Sequence, residues 1–162
     1  MTKNELISYF DNISINGRYV YSYLCLRSAI NESGLTEEIP EFLNNVLNEF
    51  VESDRLDLWQ EKVDELLPSY ILDTNHNEES FEFVDYHIII QIREYYQKHQ
   101  QIIIDIFENI FNMGLANLYG GFNSNITMPY LIDIISDLNL FKIKLPDLKT
   151  VKDCSVDEVI II

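Results

Sequence analysis

The 162-residue sequence has few residues that interrupt helices or build reactive sites. It contains five glycines, four prolines and two cysteines, and the cysteines, Cys25 and Cys154, belong to no disulfide or metal-binding motif. No run of about 18 apolar residues occurs, and the N-terminus shows no basic stretch followed by an apolar one. We therefore expect a cytoplasmic protein with long helices, free thiols, no membrane helix and no signal peptide.

The sequence also lacks the short motifs of common catalytic and metal sites. Its three histidines form no H-x-x-x-H or H-E-x-x-H pair, and Gly120-Gly121 is followed by no Lys-Ser/Thr of a phosphate-binding loop. Asp105 and Glu108 share a helix face, but no third metal ligand accompanies them. We therefore predict a non-enzymatic protein without metal or cofactor, in which His87 is a core or boundary histidine.

Apolar residues recur at helical spacing along most of the chain. The clearest stripe runs from Ile39 to Val51 at i, i+3, i+4, i+7, i+8, i+11 and i+12, which is typical of an amphipathic helix. A Thr2-x-x-Glu5 capping box, an Asn16-Gly17 turn and a stop at Gly34 delimit the first helices. The other helices are predicted over 3–12, 18–32, 54–67 and 127–138.

The segment from 79 to 113 has no glycine or proline and carries one continuous apolar stripe. Isoleucine triplets at 88–90 and 102–104 add a second buried side, and the period of the pattern favours helix although these residues are β-branched. The pattern fits one very long helix or two. We favour two central helices broken near 98–101, because helices beyond about 25 residues are unusual in compact domains.

The C-terminal residues follow a different pattern. Residues 141–145 alternate with period two, and the chain ends Val-Ile-Ile-Ile, so we expect a short C-terminal β-hairpin. The whole pattern predicts an all-α, single-domain bundle of six to seven helices over 1–140. Residues 141–162 are predicted to form a C-terminal extension packed on the same domain.

Negative charge is concentrated in one third of the chain. The formal net charge is −16, and residues 32–85 hold 16 acidic residues but only two basic ones, Arg55 and Lys62. On the predicted fourth helix, acidic residues occupy the side opposite the apolar face. Like charges spaced i, i+3 or i, i+4 on a helix destabilise it by roughly 0.2–0.5 kcal/mol per pair. Ordinary surface helices avoid that cost by mixing positive and negative residues. Such charge can be a solvated face or a binding surface for a Lys/Arg-rich partner, and its clustering leaves both interpretations open.

We predict that this charge steers a basic protein partner and that aromatic anchors beside it supply affinity. The anchors that we predict are Tyr70 and Tyr86. The predicted partner-binding acids are Glu38, Glu41, Glu49, Glu52, Asp54, Asp57, Glu61, Asp64, Glu65, Glu78 and Glu82. The same field repels nucleic acid, and we expect neither nucleic acid nor a membrane as partner.

Three stretches, YVYSYLCLRSAI, FLNNVLNEF and DLWQEKVDELLP, followed by apolar helices, resemble the YjaG-like all-helical family. Some relatives of that family are thought to be immunity proteins. The small size, the acidity, the predicted helices and the lack of a catalytic motif also resemble the immunity proteins of bacterial polymorphic or contact-dependent toxin systems. The resemblance covers about half of the chain and transfers no residue roles. It implies an antitoxin-like protein that binds a cationic toxin C-terminal domain, a nuclease, and blocks its active site or nucleic-acid groove.

Three alternatives stay open at this point. A DNA-mimic inhibitor or regulator of a nucleic-acid enzyme would use the same charge and compete with free DNA, but its partner would be encoded elsewhere in the genome. A helical enzyme or small-ligand sensor would use a pocket around His87, together with Asp85 or Glu94. A purely structural subunit of an oligomer would need neither an acidic contact surface nor a pocket.

Overall fold

The computed structural model describes residues 2–119 and 124–152, and these residues form an all-α fold. The eight α-helices within these ranges are α1 Lys3–Asp11, α2 Ile15–Ser33, α3 Glu41–Glu52, α4 Leu56–Leu66, α5 Pro68–Ile71, α6 Tyr86–Gln97, α7 Gln101–Tyr119 and α8 Met128–Leu140. Short 3-10 turns lie at Glu78–Ser80, Ser124–Thr127 and Leu148–Val151. None of the helices described is long and apolar enough to cross a membrane. The predicted all-α class is confirmed.

The first two helices begin at side-chain caps. Thr2 forms the predicted capping box: its hydroxyl accepts the Glu5 backbone N–H, and the Glu5 carboxylate accepts the Thr2 backbone N–H. α2 begins earlier than predicted, because Ser14 Oγ accepts a hydrogen bond from the Gly17 N–H at 3.0 Å. Asn16-Gly17 therefore lies in the first turn of α2, and the turn predicted there is wrong.

The central helix is α7, which packs against α2, α4, α5 and α8. Two helices cover the long glycine-free segment, and the break between α6 and α7 falls at 98–100, as predicted. α6 begins only at Tyr86, however, so the expectation of a helix from Glu79 is wrong. Phe81 and Val84 are buried, as the apolar stripe requires, but they belong to an irregular segment that precedes α6.

α3 and α4 pack together through Trp59, the single tryptophan of the chain. Its ring is fully buried, and its Nε1–H donates to the Val46 carbonyl at 2.8 Å. The Phe50 ring lies beside it, with 5.1 Å between the ring centroids. This contact turns the apolar faces of both helices inward, and their acidic faces consequently lie outward.

A buried arginine links three parts of the bundle, which the sequence pattern did not indicate. Arg18 is fully buried in α2. Its Nε donates to the Phe10 carbonyl near the end of α1, and its Nη1 donates to Thr127 Oγ1 just before α8, each at 3.0 Å. Burial lowers the pKa of this guanidinium, and the charge of Asp11 opposes that change. Arg18 therefore has a structural role, because it joins α1, α2 and the turn before α8 in the interior of the fold.

α2 and α8 end at residues with left-handed backbone conformation. Gly34 ends α2 as predicted, with a φ of 78° that glycine adopts without steric strain. After α8, Lys142 has a φ of 58°, and the Ile143 N–H donates to the Leu138 carbonyl at 2.9 Å. This is a Schellman ending. Its left-handed residue prevents the extended backbone that the alternating pattern over 141–145 predicted.

The predicted β-hairpin is not seen, because no strand forms among the described residues after α8. Its other half, Val-Ile-Ile-Ile at 159–162, lies outside the described residues. The Tyr21 hydroxyl donates to the Pro146 carbonyl and the Tyr9 hydroxyl to the Leu148 carbonyl, both at 2.8 Å. These bonds tie the described part of the C-terminal extension to α1 and α2.

Candidate functional site

The acidic segment 32–85 comprises α3, α4, α5 and the irregular segment that leads into α6, and most of its predicted binding acids are exposed. We define the acidic surface as eight exposed residues: Glu41, Glu52, Asp54, Asp57, Glu61, Asp64, Glu78 and Glu82. Glu49 is half-buried at the contact between α3 and α4. Glu38 is exposed, but it lines a separate recess with Arg27 and Asn31 near the end of α2.

Both basic residues of the acidic segment contact a carboxylate. Arg55 Nη2 lies 2.9 Å from Asp57 Oδ2, and Lys62 Nζ lies 2.7 Å from Glu49 Oε2 across the α3–α4 contact. The hydrogen bond between Arg55 and Asp57 raises the pKa of the guanidinium and lowers the pKa of the carboxyl group. Each cation thus has a carboxylate of its own, and the rest of the acidic surface keeps its negative charge.

Glu65 is one of the predicted partner-binding acids, but it is buried and does not belong to the acidic surface. Its side chain is 5% exposed, although the helical wheel placed it among the outward acids. Its carboxylate accepts the backbone N–H groups of Glu82 and Phe83, and the Phe83 N–H lies 2.8 and 2.9 Å from the two oxygens. Glu65 therefore holds the segment before α6 against α4.

Beside Glu65 the acidic surface contains a recess, which we call the Phe83 recess. It has a volume of about 190 Å³ and is lined by Glu61, Asp64, Glu65, Tyr70, Ser80, Glu82 and Phe83. The Phe83 side chain is 50% exposed, and Leu58, on the same helix as Glu61, is 45% exposed. The recess therefore combines three exposed carboxylates with an exposed aromatic ring.

The predicted anchors Tyr70 and Tyr86 are both half-buried. The Tyr70 hydroxyl donates to the Ser80 carbonyl at 2.6 Å, and the Tyr70 ring lies 3.9 Å from the His76 ring between centroids. Tyr86 packs against Phe81, with 5.9 Å between the ring centroids. Both tyrosines thus support the segment before α6, and the aromatic side chain that faces solvent here is Phe83.

Sequence reasoning missed Phe83 because it assigned residues 79–85 to a helix. A signal for the correct reading was present at residues 77–80. The Asn77 side chain accepts the Glu79 N–H, and the Ser80 hydroxyl accepts the Asn77 N–H, which is a capping-box pattern directly before Phe81. This box marks a short turn of its own and separates these residues from α6.

The side chains on which the enzyme or sensor alternative depends are all exposed. His87 is exposed on α6, so the prediction of a core or boundary histidine is wrong. Asp85 and Glu94, its proposed partners, are exposed as well. These three side chains face solvent and do not enclose a deep cavity.

A second acidic cleft, of about 280 Å³, lies between α7 and α8 and includes Asp105, Glu108, Asp133 and Asp137. Glu108 is engaged in the fold, because its carboxylate accepts the Ser69 hydroxyl at 2.6 Å and the Ser69 N–H at 3.0 Å. Burial, followed by the charges of Asp105 and Asp133, raises the pKa of Asp137. Within residues 2–119 and 124–152, no three potential metal ligands are placed to hold an ion.

Replacing Glu65 by alanine is expected to lower the free energy of unfolding by roughly 1–3 kcal/mol, because it leaves two backbone N–H groups without their acceptor. Urea unfolding followed by Trp59 fluorescence measures this loss. Hydrogen exchange at the Glu82 and Phe83 amides should accelerate more than exchange in α7. The control is Glu61→Ala, an exposed change expected to stay within about 0.5 kcal/mol. Unchanged exchange at Glu82 and Phe83 would contradict the role of Glu65.

Comparison with protein-family models, curated proteins and solved structures finds no match for this chain. The assignment of a function therefore rests on the geometry and charge of the chain itself.

Proposed function

We propose that this protein is a non-enzymatic, immunity-type binding protein that neutralises a cationic toxin domain, a basic nuclease, through its acidic surface. The observation that supports the proposal is the concentration of exposed carboxylates along α4 and residues 78–82, where Arg55 and Lys62 already contact carboxylates of their own. Such a surface keeps a strong negative field on one side of the domain.

The physical basis of neutralisation is substitution for phosphate charge. A nuclease attracts the nucleic-acid backbone with lysine and arginine side chains, and releases counterions when phosphates bind. Carboxylates on a rigid helix offer the same charge to the same side chains. Charge complementarity of this kind gives fast association and partner choice, whereas affinity needs well-packed contacts near its centre.

The neighbouring genes are searched for one that encodes a basic, nuclease-like domain, and the proposal is tested with that domain. We expect a 1:1 complex in light scattering, loss of the domain's nuclease activity on addition of one equivalent, and an association rate that falls steeply as salt is raised. Free DNA should compete with the protein for the domain. A complex whose association rate is independent of salt would contradict the electrostatic mechanism. Absence of a complex at low salt, with the protein folded, would overturn the function.

A further inference from the structure

Phe83 is an exposed aromatic residue whose backbone is held in place by buried interactions. Its N–H donates to both carboxylate oxygens of Glu65, at 2.8 and 2.9 Å, and Glu65 is 5% exposed. Three residues earlier, the Ser80 carbonyl accepts the Tyr70 hydroxyl at 2.6 Å. The segment 80–83 is thus fixed at both ends, while the Phe83 ring is left 50% exposed to solvent.

This arrangement runs against what stability alone favours. Burial of a carboxylate is unfavourable unless hydrogen bonds replace its hydration, and here those bonds come from the backbone beside Phe83. The neighbouring Phe81 is buried within the domain, whereas Phe83 is 50% exposed and forgoes about half of the gain from leaving water. An exposed aromatic residue on a backbone that is already fixed has less conformational freedom to lose on binding, which is the property of an interface anchor.

The carboxylates around Phe83 define the chemistry of what it contacts. Glu61, Asp64 and Glu82 are exposed and line the same recess as Phe83. The matching group is a cation with a flat face and an apolar stem. A guanidinium stacks on an aromatic ring and pairs with carboxylates in a planar fork, whereas an ammonium acts as a compact, strongly hydrated charge.

We propose that the Phe83 recess receives an arginine side chain of the basic partner, with the guanidinium on the Phe83 ring and its N–H groups toward Glu61, Asp64 and Glu82. Phe83, and neither Tyr70 nor Tyr86, is then the aromatic anchor of the acidic surface. Glu65 is a positioning residue, which acts by holding the backbone of Phe83. This inference rests on the proposed function and adds the residue type that the partner must supply.

The test uses two labelled peptides of equal length and charge, one of alternating glycine and arginine and one of alternating glycine and lysine. Their affinities are measured by fluorescence anisotropy at low salt with the full chain. We expect tighter binding of the arginine peptide, and a loss of roughly tenfold for that peptide on Phe83→Ala, with a loss below about threefold for the lysine peptide. The amide resonances of Glu82 and Phe83 should shift on addition of the arginine peptide.

The matched control is Leu58→Ala, which also removes an exposed apolar side chain, in this case one on α4. This control should leave both affinities within about twofold. Trp59 fluorescence checks that both variants are folded. Equal affinities for the two peptides, with no effect of Phe83→Ala, would overturn the arginine site while the acidic surface still bound cations. An equal loss for both peptides on Phe83→Ala would overturn the selectivity for arginine. Failure of both peptides to bind the wild-type chain would overturn the arginine site, whereas the proposed function is decided separately by the complex with the basic domain.

Discussion

Replacing Asp57, Glu61 and Asp64 together by lysine will slow association with the cationic partner by roughly 10- to 100-fold at low salt. All three side chains are exposed on α4, and the replacement changes the formal net charge from −16 to −10. The substitution reverses the field where the acidic surface is densest. Stopped-flow mixing with the partner domain measures the association rate, and the difference from wild type should shrink as salt screens the field.

The domain should stay folded in this variant, because the three side chains contribute no core contact. Lysine at 57 loses the exposed pair with Arg55, while lysines at 61 and 64 relieve repulsion between like charges along α4. The matched control replaces Glu94, Asp105 and Asp133 by lysine. These residues are exposed on α6, α7 and α8, outside the acidic segment, and give the same net charge. Equal slowing by both variants would show that total charge matters and the acidic surface does not.

The helices that the sequence predicted well are those whose signals lie within the helix itself. The Thr2 capping box and the Gly34 stop depend on neighbours within a few residues. The stripe from Ile39 to Val51 is similarly local, and its residues are buried or half-buried in the fold. Because these signals need no knowledge of tertiary structure, they identified α1 and α3 and the end of α2.

The errors occur where a distant residue decides the local structure. Residues 79–85 have the apolar spacing of a helix, but the N–H groups of Glu82 and Phe83 donate to Glu65, which lies far away along the chain. A helical wheel shows only the position of Glu65 on α4. It cannot show that the segment before α6 covers this residue in the folded protein. Arg18 is a similar case, since its acceptors at Phe10 and Thr127 are brought together only by the packing of three helices.

The same distinction applies to the candidate site. The sequence predicted the exposure of most of its acids, since charge opposite an apolar face points outward in any amphipathic helix. It did not predict the Phe83 recess, because that recess exists only where the segment before α6 folds back on α4. The apolar stripe runs through Phe81 and Val84 and does not include Phe83, so the pattern assigned no role to that residue.

Replacing Gly114 by alanine should destabilise the domain, although helix propensity alone favours alanine by about 1 kcal/mol. A Cβ at Gly114 would lie 2.4 Å from Trp59 Cη2 and 3.1 Å from two atoms of the Phe50 ring. The indole cannot withdraw freely, because its Nε1–H donates to the Val46 carbonyl at 2.8 Å. Phe50 is itself stacked on Tyr19, with 4.4 Å between centroids. Overpacking of this kind typically costs about 1–3 kcal/mol, so we expect a net loss of stability in urea unfolding.

A double-mutant cycle with Trp59→Phe isolates the contact that we hold responsible. The smaller ring removes the atom nearest to position 114, so alanine there should become neutral or stabilising in the Trp59→Phe background. Circular dichroism follows unfolding in that background, because the chain then has no tryptophan. Gly34→Ala is the contrasting control: nothing lies within 4 Å of its Cβ, and its cost comes from the φ of 78° alone, so Trp59→Phe should leave that cost unchanged. If Gly114→Ala stabilises the wild-type chain, the close packing of α7 on Trp59 is wrong.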